Sequence, residues 1–120
     1  MSARMHLSPA HPAHQRTPGE EQFALAAELL ALLGDRTRLA LLYALTAREA
    51  DVTTLTEACG AARPAVSQHL ARLRLAGLVE TRKEGRRVIY SLRHGHLRRL
   101  VDEALKTADH RLAETEHGPA

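Results

Sequence analysis

"RPAVSQHLARLRLAGLVETRKEGRRVIYSL", residues 63–92, is the stretch whose reading decides the fold. In its first half Val66, Leu70, Leu73 and Ala76 recur at spacings of 4, 3 and 3, which makes one apolar helix face. Pro64 suits the first turn of that helix. At ~100° per residue, Ser67, Gln68, Ala71 and Arg72 point the other way, and His69 lies on the flank. Gly77 ends the helix. Residues 79–82 and 87–92 then alternate as two strands, with Val88, Tyr90 and Leu92 on one face and residues 83–86, "KEGR", turning between them.

Upstream, "EEQFALAAELLALL" (20–33) is a strong helix former with more apolar surface than one stripe. Gly34 stops it, and Asp35 is a good N-cap for "RTRLALLYALTA" (36–47). Asp51 or Thr53 caps a short helix that runs through Cys59 and closes at Gly60. Downstream, Leu97, Leu100, Val101, Ala104, Leu105 and Ala108 mark a last amphipathic helix reaching Thr115. The expected architecture is mainly α with a small β-hairpin: a winged helix-turn-helix with an additional helix at each end. Residues 1–19 carry Pro9, Pro12, Pro18, Gly19 and three histidines without periodicity, and read as a disordered arm. Residues 20–115 form the folded domain and 116–120 a flexible tail.

Composition narrows the class. The 120 residues include one Phe, two Tyr and no Trp, so Leu and Ala must build the core, which favours packed helices. No apolar run approaches the ~18 residues that span a bilayer, and no secretory apolar segment opens the chain, so a cytoplasmic protein without a membrane partner is expected. The single cysteine, Cys59, excludes an internal disulfide and a multi-cysteine zinc knuckle. Net charge is only +3, but residues 63–99 hold ten Lys/Arg against two acids, whereas residues 100–120 hold five acids against two bases. Positive charge focused on one segment suits a polyanion.

A short helix, a tight turn and a second helix with a polar outer face is the arrangement that enters the major groove of double-stranded DNA. Gln68 can pair bidentately with an adenine edge, Ser67 can donate to a base or phosphate, Ala71 permits close approach, and Arg72 can reach guanine or phosphate. Arg63, at the helix start, is placed for backbone phosphate. His69 either packs on the flank with one hydrogen bond or touches DNA. Arg82, Lys83, Arg86 and Arg87 crowd the hairpin tip, where a wing would grip phosphates or the minor groove. An enzyme is disfavoured: there is no nucleophile motif, phosphate-cradling loop or zinc-hydrolase motif, and no small organic ligand is evident. A sequence-independent, nucleoid-like binder is the other reading of the basic stretch.

"LLGDRTRLALLYAL" (32–45) followed by "AVSQHLARLRLAGLVETRKEGRRVIYSL" (65–92) resembles the ArsR/SmtB family of bacterial metal-responsive repressors over roughly residues 22–112. Arg36 stands where the family usually has proline. The resemblance implies a homodimer built from the first and last helices, here through Phe23, Leu30, Leu97, Leu100, Val101, Ala104, Leu105 and Ala108. It implies recognition of an imperfect inverted repeat. It also implies a metal site at one of a few places. A thiolate site before the recognition turn is unsupported, because Cys59 stands alone and soft ions want several sulfurs.

A site on the last helix, crossing the dimer, is the better match. His96 and His110 are 14 residues apart in sequence, ~21 Å along a helix, too far to share an ion within one chain but able to meet their counterparts in an antiparallel pair. Asp109 adds a carboxylate. The common four-ligand pattern is incomplete, since its carboxylate position is His94 and another ligand position is Thr107. What is left resembles the nickel/cobalt-sensing variants, with His94, His117, or His6, His11 and His14 of the arm to complete the shell. Nickel, cobalt or zinc suits such donors. The alternatives are a member without metal response, or one acting as an activator.

Overall fold

The computed structural model describes residues 17–117, so the expected arm up to residue 16 and the last three residues lie outside the described residues. The elements are α1 (Glu20–Leu33), α2 (Arg36–Ala47), α3 (Val52–Cys59), α4 (Arg63–Leu75), β1 (Val79–Glu84), β2 (Arg87–Leu92) and α5 (Gly95–His117). This is the expected winged helix-turn-helix with flanking helices. Residues 1–31 and 32–120 form two units. In the first, α1 leaves Phe23, Leu25, Leu29 and Leu30 exposed. The last turn of α1, with buried Leu33, belongs to the second unit.

Local chemistry sets each boundary in the second unit. Asp35 caps α2 by accepting from Arg38 N at 3.0 Å, and Asp51 caps α3 by accepting from Thr54 N at 2.9 Å. Gly60, at φ +73°, closes α3 in the left-handed region, where a side chain would be strained, and its N–H donates to Thr56 O at 3.1 Å. Only Ala61 and Ala62 then separate it from α4, which has Pro64 in its first turn. Val66, Leu70 and Leu73 of α4 are fully buried against Leu41, Leu42 and Leu45 of α2 and Leu55 of α3 in one cluster. Ala76, expected on that face, is instead the exposed C-cap, because the helix ends at Leu75.

β1 and β2 pair antiparallel from Val79↔Leu92 to Glu84↔Arg87. β1 runs two residues past the expected end, since Gly85 at φ +65° permits a loop of only Gly85 and Arg86. Burial in β2 also differs: Val88 is exposed and Ile89 is the buried residue, while Tyr90 and Leu92 pack on the core. The hairpin is tied to the helices through Ala50, whose N–H donates to Tyr90 O at 3.1 Å and whose carbonyl accepts from Tyr90 N at 2.8 Å.

α5 also departs from expectation. Leu97 and Val101, assigned to a dimer face, are buried in the protomer's own core, and Leu105 packs partly against it. The first turns of α5 join the same buried cluster as Leu41, Leu42 and Leu45 of α2. Leu100, Ala104 and Ala108 stay exposed, as does Leu112. The helix continues through Glu116 and His117, which were expected in the tail.

Truncating Leu70, which has no exposed surface, to alanine should cost ~2–5 kcal/mol. The same change at Leu75, 89% exposed on the same helix, should stay within ~0.5 kcal/mol. Urea denaturation of both variants at one protein concentration measures the contrast.

Candidate nucleic-acid interface

Because Val66, Leu70 and Leu73 anchor one side of α4, its opposite side is forced outward. Ser67, Gln68, Ala71 and Arg72 are exposed there as expected. Gln68, Ala71, Arg72 and Leu75 line a shallow groove with the edge of His69. Leu75 was missed by sequence reading, which counts leucine as core. The available signal was its place seven residues after Gln68, two turns along the same outer face. Arg63 is exposed at the helix start and donates from Nη1 to Thr53 Oγ1 at 3.1 Å, across the turn to α3.

His69 borders that groove at one edge, but its ring nitrogens turn the other way. Its side chain is 22% exposed and faces the N-terminus of α2. Arg38 Nη1 donates to its Nδ1 at 3.3 Å, and Asp35 Oδ2 lies 3.8 Å from its Nε2. The Asp35 carboxyl is held below its ordinary pKa, chiefly by the Arg38 backbone N–H, despite an opposing contribution from desolvation.

The wing divides its four cations into two pairs. Arg82 Nη2 contacts Glu49 Oε1 at 2.7 Å and Glu84 Oε2 at 2.9 Å, partners that raise its pKa further. Arg87 donates from Nε to Asp51 Oδ2 at 2.9 Å, and its Nη1 lies 3.7 Å from Glu84 Oε1. No ion pair among the described residues engages Lys83 or Arg86. Exposed pairs of this kind add little stability, ~0–1 kcal/mol each, so their consequence is orientation. Arg82 and Arg87 lock the hairpin to the segment preceding α3, and Lys83 and Arg86 are left at the tip. Glu49 and the second role of Asp51 were not legible in the sequence, because partners 33 and 36 residues away leave no periodic trace.

Asp51 is the hinge of this arrangement. Its pKa is lowered to about 2, first by the Thr54 backbone N–H, then by the Thr54 hydroxyl and Arg87.

The candidate metal ligands lie on α5. His96 and His110 are exposed on the side of the helix opposite Val101, and Arg99 Nη2 donates to His96 Nδ1. Asp109 is exposed beside His110. His94 precedes the helix, with its carbonyl accepting from Leu97 N at 3.2 Å, and His117 ends it. Within one chain, no cluster of three His, Cys, Asp or Glu among the described residues can hold an ion. Cys59 is half-buried against the core. No described helix is long and apolar enough to cross a membrane.

A helix that reads outward from the core, preceded by a tight turn and flanked by a basic wing, defines a DNA-binding winged helix-turn-helix regulator. Residues 35–81 match the profile of the bacterial regulatory protein arsR family. The transcriptional regulator KmtR of Mycobacterium tuberculosis is 43% identical over 91 residues, covering 76% of this chain and 70% of KmtR. The chain therefore belongs to the arsR family. Among solved structures, HlyU from Vibrio cholerae aligns with a TM-score of 0.69 at 34% identity, over 74% of this chain and 97% of that one. The homodimeric winged helix-turn-helix DNA-binding domain of Mb0332 from Mycobacterium bovis aligns with a TM-score of 0.70 at 28% identity, over 91% of this chain and 98% of that domain.

The depressed Asp51 pKa sets a pH dependence with a definite sign. A folded-state value of about 2 against an ordinary 3.8 stabilises the fold above pH ~4, and that contribution is lost as pH falls toward 2. Asp51→Asn keeps a capping oxygen for Thr54 but loses the charge that holds Arg87. The variant should be less stable than wild type at pH 7, with the deficit narrowing between pH 4 and 2. Urea midpoints at those pH values measure it.

Proposed function

We propose that this arsR-family regulator is a homodimeric repressor that binds an imperfect inverted repeat in double-stranded DNA, and that a transition metal, nickel, cobalt or zinc, sets its operator affinity. The observation that carries the DNA reading is the outer face of α4, where Ser67, Gln68 and Arg72 stand exposed behind a helix side fixed by the core. In this reading α4 lies in the major groove, Gln68 and Ser67 meet base edges, and Arg63 and Arg72 meet phosphate or guanine. Lys83 and Arg86 grip the backbone beside it. Two copies would present their reading helices ~34 Å apart, one turn of DNA. The homodimeric domain of Mb0332 supports assembly in pairs. So do the exposed apolar residues of α1, Phe23 and Leu30 among them, and the exposed Leu100, Ala104, Ala108 and Leu112 of α5, surfaces of the kind that a second copy covers.

His96, Asp109 and His110 are the proposed metal ligands, with His94 and His117 as further donors. His96 and His110 share the outward side of α5, and the Arg99 contact at His96 Nδ1 leaves Nε2 available. Imidazole nitrogen and carboxylate oxygen suit nickel, cobalt and zinc. Since one chain supplies no three-ligand cluster among the described residues, the shell in this reading is completed by a second copy or by His6, His11 and His14 of the arm. A divalent ion would supply a crosslink between subunits. A coupling of ~1–3 kcal/mol changes operator affinity ~5–150-fold. A second reading, activation of transcription, is favoured by HlyU of Vibrio cholerae, a transcriptional activator 36% identical over 83 residues.

Fluorescence anisotropy with the duplex upstream of the protein's own gene tests both parts. Lys83→Ala and Arg86→Ala should each lower the slope of log affinity against log salt by ~1, whereas Arg82→Ala and Arg87→Ala should leave that slope nearly unchanged. Stoichiometric nickel(II), cobalt(II) or zinc(II) should shift wild-type affinity. The double variant His96→Ala/His110→Ala should bind DNA like the metal-free wild type and show no shift. A normal metal response in that variant would remove these histidines from the site.

A further inference from the structure

We infer that Arg38 and His69 form a positioning pair for DNA recognition, in which His69 fixes the reading helix from behind and does not itself contact DNA. The inference rests on the DNA-binding reading above. Arg38, on the first turn of α2, donates from Nε to Leu32 O in the last turn of α1 at 2.6 Å and from Nη1 to His69 Nδ1 at 3.3 Å. Its backbone N–H meanwhile donates to the capping carboxylate Asp35 at 3.0 Å. One guanidinium thus joins an orphan helix-end carbonyl to the middle of the reading helix.

The chemistry of the pair fixes its protons. A guanidinium can only donate, so His69 Nδ1 must present its lone pair. The ring hydrogen then sits on Nε2, which faces Asp35 Oδ2 at 3.8 Å. Nδ1 is engaged by Arg38, Nε2 is turned toward the Asp35 carboxylate at a distance beyond a hydrogen bond, and the side chain is 22% exposed. The two preceding residues, Ser67 and Gln68, are exposed.

Apolar burial of Val66, Leu70 and Leu73 decides which side of α4 faces the core, but dispersion and burial are non-directional and tolerate small rotations and slides. A hydrogen bond does not, since it weakens steeply off its preferred geometry. The Arg38–His69 contact therefore pins α4 one residue from Gln68, where a small rotation would misdirect an amide aimed at a base edge.

Four variants decide the question in the same anisotropy assay, with circular dichroism and urea midpoints on every sample. His69→Ala and Arg38→Ala should each weaken binding about tenfold, and the double variant should be no weaker than Arg38→Ala alone, not a hundredfold below wild type, because loss of Arg38 already removes the contact that His69 makes. His69→Asn offers an amide oxygen near the place of Nδ1 but nothing at Nε2, and should stay within about twofold of wild type, as preservation of the single coupled contact requires. If His69→Asn is as weak as His69→Ala, or if the single losses multiply in the double variant, the imidazole acts on DNA directly and the inference is overturned. Should Arg38→Ala fail to fold, the comparison of His69→Asn with His69→Ala still decides. A wild type that binds no duplex would instead defeat the DNA-binding reading itself.

Discussion

The proposed reading helix of this protein, α4, is also a central helix of its core, and that double duty constrains everything around it. With almost no aromatic residues to fill volume, Val66, Leu70 and Leu73 must be fully enclosed by the leucines of α2 and α3. Burying three branched side chains on one side of a 13-residue helix leaves no freedom about what the other side shows. Gln68 and Arg72 reach solvent because the core holds their neighbours. Loss of volume beneath α4 would therefore damage stability and recognition together.

On that apolar frame, a few polar contacts set orientation at the level of an ångström. Asp51 caps α3 and holds Arg87, while Glu49 holds Arg82, so the hairpin is referenced to the start of the helix-turn-helix. Ala50, between the two acids, adds a pair of backbone hydrogen bonds to Tyr90. At the middle of α4, Arg38 meets His69, and it also meets Leu32 O. The ion pairs among these contacts contribute little stability by themselves, since exposed pairs are solvated and screened. Their shared effect is to hold the wing and the reading helix in one relative placement without adding to the core.

α5 divides its length between two tasks. Leu97 and Val101 near its start close the protomer, whereas Leu112 near its end is 62% exposed. The 23-residue helix is longer than the core it covers, so its later turns carry apolar side chains with no cover among the described residues. His96 and His110 occupy the side turned away from Val101, which keeps them clear of the packing that fixes the helix.

Element type and order were legible in the sequence because each rests on local chemistry. The 4-3 spacing of Val66, Leu70 and Leu73, the capping carboxylates Asp35 and Asp51, and the closing Gly60 appear where their patterns put them, whereas Ala76 falls beyond the helix end. Two boundaries moved for local reasons: Gly85 allowed a tighter loop than a four-residue turn, and α5 continued through helix-forming Glu116. The outer face of α4 followed from periodicity alone, apart from Leu75, whose residue type hides its position.

What the sequence by itself determined was the winged helix-turn-helix, the reading face and the basic tip, all consequences of spacing within one element or between adjacent ones. Only the tertiary structure decided that Leu97 and Val101 serve the protomer core. It also decided that Arg82 and Arg87 anchor the wing while Lys83 and Arg86 remain at its tip, and that His69 turns inward to Arg38. Each of these depends on which side chains meet across 31 or more residues of chain. Charge and hydrophobicity at one position cannot reveal the partner that will consume them.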